Sequence, residues 1–188
     1  ESTLPEFDLF GEVRERTGTN LTGIVPSNTY VCGDAVHVVI GGNGDSIFKR
    51  LMSAIDRDDL GNDPALANNA GRAQRASEID ATIGAWTGRH SVEHVLNVLN
   101  DAQVPNGKIY SIADIVKDPQ FAARQMIQSI TLPDGTGVKV PGITPKLSVT
   151  PGSLEWPGPP LGEHTDSVLA AHGFSAADIA RLREAKAL

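Results

Sequence analysis

The residues best placed to do chemistry lie in a few short clusters. His90-Ser91-Val92-Glu93-His94 has the form H-x-x-E-H, a pattern in which two imidazoles on one helix face hold zinc and the glutamate acts as base. Ser91, however, is a natural helix N-cap, which predicts that His90 lies ahead of the helix and points elsewhere, and no later helix supplies a third ligand. Both histidines therefore read as structural or solvent-facing, and no metal site is assigned. Asp56-Arg57-Asp58-Asp59-Leu60-Gly61 has the acidic spacing of a calcium loop, but Leu60 takes a ligand position and Ala67 stands where a bidentate glutamate is needed.

Gly41-Gly42-Asn43-Gly44 follows a β-prone run and opens a helix, a place where backbone N–H groups can hold phosphate. Asp45 would put its own carboxylate at that helix start, capping the donors and repelling an anion. Ile47 also replaces the third glycine of a dinucleotide fingerprint, so a tight structural turn is expected. In Glu163-His164-Thr165-Asp166, adjacent side chains seldom converge on one point, and Thr165 as cap with Asp166 in the first turn suits a helix start. Cys32 is the sole cysteine, which rules out an internal disulfide. It falls in a β-prone run as a reduced, partly buried thiol, and a role as nucleophile would require a neighbouring base.

Composition narrows the function classes. With 188 residues and 40% hydrophobic content the chain can build one ordinary domain, or a small domain with an extended appendage. A net charge of -7 without a Lys/Arg cluster argues against nucleic acid. No apolar stretch is long enough to cross a bilayer, and Glu1-Ser2-Thr3-Leu4-Pro5 lacks the basic and apolar regions of a signal peptide, so a cytoplasmic location is expected. Glu1 in place of an initiator Met leaves truncation, processing and a tag open.

The elements that must position these residues read as α+β. Residues 1–22 form a linker with about one helical turn. Asn28–Cys32 and Ala35–Ile40 make a hairpin around a tight turn at Gly33-Asp34. Ile47, Phe48, Leu51, Met52 and Ile55 recur at helical spacing, as do Ile79, Ile83 and Trp86, and again Val92, Val95, Leu96 and Leu99. Ser111-Ile112-Ala113-Asp114 is a capping box with Asp in the acidic position, and Pro119 starts a further helix. Met126–Leu132 and Gly137–Val140 form a second hairpin around Pro133-Asp134-Gly135-Thr136. Between residues 141 and 160 prolines at 141, 145, 151, 157, 159 and 160 prevent regular structure, so this segment is expected to lie along another surface. Two helices follow, with Gly173 as a stop and Ser175 as a cap. The resulting division is a linker (1–22), a small α+β domain of hairpins and helices (23–140), and an extended proline-rich return segment with two C-terminal helices (141–188).

Several of these landmarks together resemble a known family. They are Ile24-Val25-Pro26-Ser27-Asn28-Thr29-Tyr30, Val39-Ile40-Gly41-Gly42-Asn43-Gly44-Asp45, Asp63-Pro64, Asn69-x-x-Arg72, Val104-Pro105, Asp118-Pro119-Gln120 and Pro159-Pro160-Leu161-Gly162-Glu163-His164-Thr165-Asp166. In this order, from about Arg16 to the end, the chain is similar to the carboxy-terminal half of the class III coenzyme A transferases, the group of formyl-CoA transferase, carnitine CoA-transferase and α-methylacyl-CoA racemase.

That resemblance implies that the catalytic aspartate and most of the CoA surface belong to an amino-terminal half, so no catalytic residue is expected among residues 1–188. In such transferases an aspartate attacks an acyl-CoA thioester to form a mixed anhydride, CoA thiolate converts this to an aspartyl thioester, and an acceptor carboxylate takes the CoA. The CoA thioester is a substrate, and no covalently bound cofactor is implied. The small domain closes over the acyl end and excludes water, and two chains interlock as a homodimer. Residues 17–24 stand where formyl-CoA transferases carry a glycine-rich loop, although only Gly18 and Gly23 are glycines here. By the same resemblance Gly23, Pro26 and Asn28 border the acyl site, with a plain entry loop as the alternative reading of this segment. An acyl-CoA racemase half and a non-catalytic binding or assembly module are the alternatives.

Overall fold

The computed structural model describes residues 3–188, which divide into two compact units, one running to Tyr110 and the other from Ser111 to Leu188. The fold class is α+β.

In the first unit, helix α1 (Thr3–Phe10) is followed by strands β1 (Ser27–Val31) and β2 (His37–Gly41), helices α2 (Asp45–Ala54) and α3 (Asp58–Gly61), and a 3-10 turn at Pro64–Leu66. Helices α4 (Asn69–Gln74), α5 (Ala76–Thr87) and α6 (Val92–Asp101) and strand β3 (Asn106–Lys108) complete it. The strands form an antiparallel sheet in sequence order, with Val31 opposite His37 and Val38 opposite Lys108. Strand β2 alternates as a one-sided strand must: Val38 and Ile40 are fully buried while His37 and Val39 are exposed. Phe48, Leu51 and Met52 of α2, Ile79, Ile83 and Trp86 of α5, and Val95 and Leu99 of α6 belong to the same buried cluster. Each such side chain contributes about 1.5–3 kcal/mol on removal from water.

Several local expectations were too simple. The first hairpin turns through the five residues between Val31 and His37, with Ala35 in the left-handed region at φ +61°. The longer loop has a packing reason: Gly33 N–H donates to the His90 carbonyl at 2.7 Å, and the Asp34 carboxylate accepts from Val92 N–H at 3.0 Å, so the loop caps the start of α6. Strand β3 was not foreseen, because Asn106-Gly107-Lys108 has no β-branched residue and forms only by pairing with β2. Asp45 is not a side-chain cap, since Gly44 holds the N-cap position and the Asp45 carboxylate instead accepts from Arg72. Helix α1 extends over eight residues where one turn was expected.

The second unit is built from local devices. Helix α7 (Ile112–Lys117) begins with the Ser111/Asp114 capping box, and α8 (Pro119–Ala123) is capped by Asp118 with Pro119 at its first position. Strands β4 (Ile127–Thr131) and β5 (Gly137–Pro141) pair antiparallel across a turn in which Gly135 sits at φ +88° and the Asp134 carboxylate accepts from Thr136 N–H. Residues 142–164 contain no helix or strand. Helix α9 (Thr165–Ala171) starts at Thr165 itself, preceded by His164, so Thr165 is the first helical residue instead of the cap. Helix α10 (Ala176–Glu184) opens on a Ser175/Asp178 capping box, after Gly173 at φ +89° ends α9.

One buried ion organises the first unit. Arg72 has no exposed surface, and its guanidinium donates to the carbonyls of Val25 (3.0 Å), Leu66 (3.0 Å) and Asn43 (2.7 Å) and to the Asp45 carboxylate (2.7 Å). Its carbon centre lies 5.0 Å from the Phe48 ring centroid. Arg72→Met keeps the bulk but leaves the Val25, Leu66 and Asn43 carbonyls without their donor, and should cost roughly 2–4 kcal/mol in urea unfolding, since each buried acceptor left unpaired costs about 1–3 kcal/mol. A loss below about 1 kcal/mol would show that the guanidinium does not organise this unit.

Candidate functional site

The residues between Thr17 and Ser27 form a loop whose far end is held by side chains of α4. Asn69 reads the loop as a strand edge would: its amide nitrogen donates to the Gly23 carbonyl at 2.6 Å, and its amide oxygen accepts from Val25 N–H at 3.0 Å. Gly23 sits at φ +76°, where a residue with a Cβ would be strained. Arg72 holds the Val25 carbonyl, and the Pro26 carbonyl, after a cis Val25–Pro26 bond, accepts from Gly42 N–H at 2.9 Å. Within the loop, the Thr17 hydroxyl donates to the Asn20 carbonyl at 2.8 Å and the Thr19 hydroxyl to the Asn28 side-chain oxygen at 2.6 Å.

Between this loop and Ala73, Ala76 and Asp80 lies a cavity of about 300 Å³. Gly23 and Pro26 line it, whereas Asn28 does not and instead fastens the loop through Thr19. The lining polar groups are Thr17, Thr22, Ser27, Asn20 and Asp80, and no lysine, arginine or histidine is among them. Hydroxyls without a basic partner are not activated nucleophiles, and the one carboxylate, Asp80, is engaged by the Tyr30 hydroxyl, so this arrangement is suited to bind and orient a small polar molecule. Asp80 is fixed from below: the Tyr30 hydroxyl donates to its Oδ1 at 2.6 Å. Burial, then the hydrogen bond to Asp80 and its negative charge, raise the Tyr30 pKa far above the ordinary phenol range. The pair lies fifty residues apart in sequence, and nothing in the local pattern of either residue signals it.

The other clusters are structural in this fold. Ser91 caps α6 as expected, accepting from His94 N–H at 3.4 Å. His90 does not point away, however. Its ring stacks on His94 with centroids 4.4 Å apart and lies 5.2 Å from Trp86, because the hairpin loop fixes the His90 backbone. Among the described residues no group of three His, Cys, Asp or Glu side chains converges as a metal site. The 41–44 turn is filled by protein: a Cβ on Gly42 would sit 2.6 Å from Leu51 Cδ2 and 3.0 Å from Pro26 Cγ. Cys32 is buried, and burial followed by the Asp34 charge pushes its thiol up, away from the thiolate a nucleophile needs.

Two measurements check this geometry. Asn69→Ala removes both loop contacts, and limited proteolysis should then cut within 17–24 faster than in the parent while the core stays intact; equal rates would mean the loop is held otherwise. Because the folded state holds the Tyr30 proton more tightly than the unfolded chain, which ionises near about pH 10, its contribution is complete below that pH and lost as pH rises beyond it. Tyr30→Phe should flatten that alkaline fall in stability, and an unchanged alkaline limb in thermal melts would contradict the assignment.

The relatives of this chain give the geometry a context. A family model described as CoA-transferase family III matches residues 2–165. The succinyl-CoA–D-citramalate CoA-transferase of Chloroflexus aurantiacus is 38% identical over 184 residues, which is 97% of this chain and 46% of that protein. The alpha subunit of the succinyl-CoA–L-malate CoA-transferase of Chloroflexus aurantiacus is 34% identical, covering 97% of this chain and 43% of the relative. A CAIB/BAIF family protein from Brucella suis superimposes with a TM-score of 0.70 at 25% identity, over 90% of this chain and 43% of that one. This chain thus spans less than half the length of these relatives. With the family match running through the clamped loop, the three-stranded sheet and the whole proline-rich segment, the chain belongs to CoA-transferase family III.

Proposed function

We propose that this chain is the carboxy-terminal half of an acyl-CoA:carboxylate CoA-transferase that takes succinyl-CoA as donor and a short hydroxy-dicarboxylic acid as acceptor. The observation that carries this reading is the 38% identity, over 97% of the chain, to an enzyme named for succinyl-CoA and D-citramalate. The L-malate relative favours the same substrate class, and the roughly 300 Å³ cavity with its hydroxyl-rich lining suits a small polar acid.

In this reading the aspartate that carries the acyl group lies outside residues 1–188, and the present half supplies the cover. Gly23 and Pro26 shape the wall facing the acyl end, and Asn28 keeps the loop closed through Thr19. Closure serves the chemistry directly, because anhydride and thioester intermediates hydrolyse when water reaches them. The CoA thioester enters and leaves as substrate, two chains associate as a homodimer, and the enzyme works in the cytoplasm. No described helix is long and apolar enough to cross a membrane.

The test is CoA transfer by the full-length protein from succinyl-CoA to D-citramalate, L-malate and a panel of unrelated carboxylates, with thioesters resolved by chromatography. Formation of citramalyl-CoA or malyl-CoA with one equivalent of succinate is expected, and residues 1–188 alone should transfer nothing. Absence of transfer to every acid would overturn the transferase reading, and turnover by residues 1–188 alone would overturn the placement of the catalytic group.

A further inference from the structure

We infer that Asp80 is a specificity-determining residue of this site, and that it selects acids bearing a hydroxyl by accepting the hydroxyl proton. The inference rests on the transferase reading and concerns the same cavity. Of the polar side chains lining that cavity, the threonine and serine hydroxyls and the Asn20 amide can each donate or accept, so they match many ligands. The Asp80 carboxylate is different, because when ionised it can only accept. It is also held in place: Oδ1 takes the Tyr30 hydroxyl at 2.6 Å, Tyr30 is itself buried in the core, and Oδ2 takes no further hydrogen bond from the described residues. A fixed, half-buried acceptor facing a small cavity is matched by a ligand O–H.

The charge makes the selection directional. With no cation among the lining residues, a ligand carboxylate set against Asp80 would meet a like charge, so the charged ends of the acid turn away and its hydroxyl turns inward. A keto oxygen in that place presents lone pairs to lone pairs, and a plain methylene leaves the Asp80 oxygen unpaired. Sites built to bond a substrate hydroxyl reject analogues that lack it, because the site's own polar group is then left unpaired.

The experiment measures kcat/KM in the full-length protein with succinyl-CoA as donor and two matched pairs of acceptors, L-malate with oxaloacetate and D-citramalate with methylsuccinate. The parent should prefer each hydroxy acid by roughly ten- to a hundredfold, the range for a hydrogen bond to a charged group. Asp80→Asn keeps the shape and the Tyr30 contact but offers an N–H₂ that donates to hydroxyl and keto oxygens alike, so the malate:oxaloacetate ratio should collapse about tenfold or more. Asp80→Ala should bring both ratios toward one. Thermal melts identify any variant that fails to fold, and the parent ratios need no variant at all. Transfer to carboxylates without preference for the hydroxy acids, or an Asn variant that keeps the parental malate:oxaloacetate ratio, would overturn the role of Asp80 while leaving the transferase reading intact. If no acid is a substrate, that reading falls and takes this role with it.

Discussion

The first unit depends on a cation held where water cannot reach it. Arg72 extends from a six-residue helix too short to be stable alone, and its guanidinium joins the 25–26 loop exit, the 3-10 turn and the turn before α2. Burying a guanidinium costs several kcal/mol, offset only when nearly every donor finds an acceptor. Here three backbone carbonyls and one carboxylate provide them, so the ion sets geometry more than it adds stability. The close packing extends to its neighbour: a Cβ on Gly71 would lie 1.7 Å from the Ala65 carbonyl oxygen, and only glycine lets α4 approach that turn.

From this anchor the route to the cavity is short. Arg72 holds the Val25 carbonyl, while Asn69, one turn earlier on the same helix, holds Gly23 and the Val25 N–H. The next helix brings Ala76 and Asp80 to the opposite wall, and the sheet brings Tyr30 beneath Asp80. The second unit is organised by other means. Capping boxes at Ser111 and Ser175, the Asp118 cap and a glycine turn define its elements, and Ile179 is its buried apolar residue. Several of its large apolar side chains, including Trp156 and Leu161, are exposed.

What the sequence made legible follows the range of the interaction. Both hairpins, the amphipathic faces of α2, α5 and α6, and the caps at Ser91, Ser111 and Ser175 depend on residues within a few positions of one another, and periodicity or cap chemistry reveals them. Strand β3 was hidden because its partner lies more than sixty residues earlier and its own residues favour a turn. Asn69 and Arg72 were visible as family landmarks, yet their work, peptide mimicry by one and carbonyl gathering by the other, needs a loop more than forty residues away. Gly23 and Pro26 fall on the cavity wall, Asn28 acts one step behind it, and the Tyr30–Asp80 pair had no local signature.

The way Asn69 grips the loop has an evolutionary consequence. A carboxamide that imitates a neighbouring strand recognises only main-chain atoms of Gly23 and Val25, so it is indifferent to most side chains between Thr17 and Thr22. Apart from the fastening hydroxyls of Thr17 and Thr19, the cover of the cavity can therefore exchange its side chains while the scaffold that carries it stays unaltered. Variation in the cover and foldability of the scaffold are thereby placed on separate sets of residues.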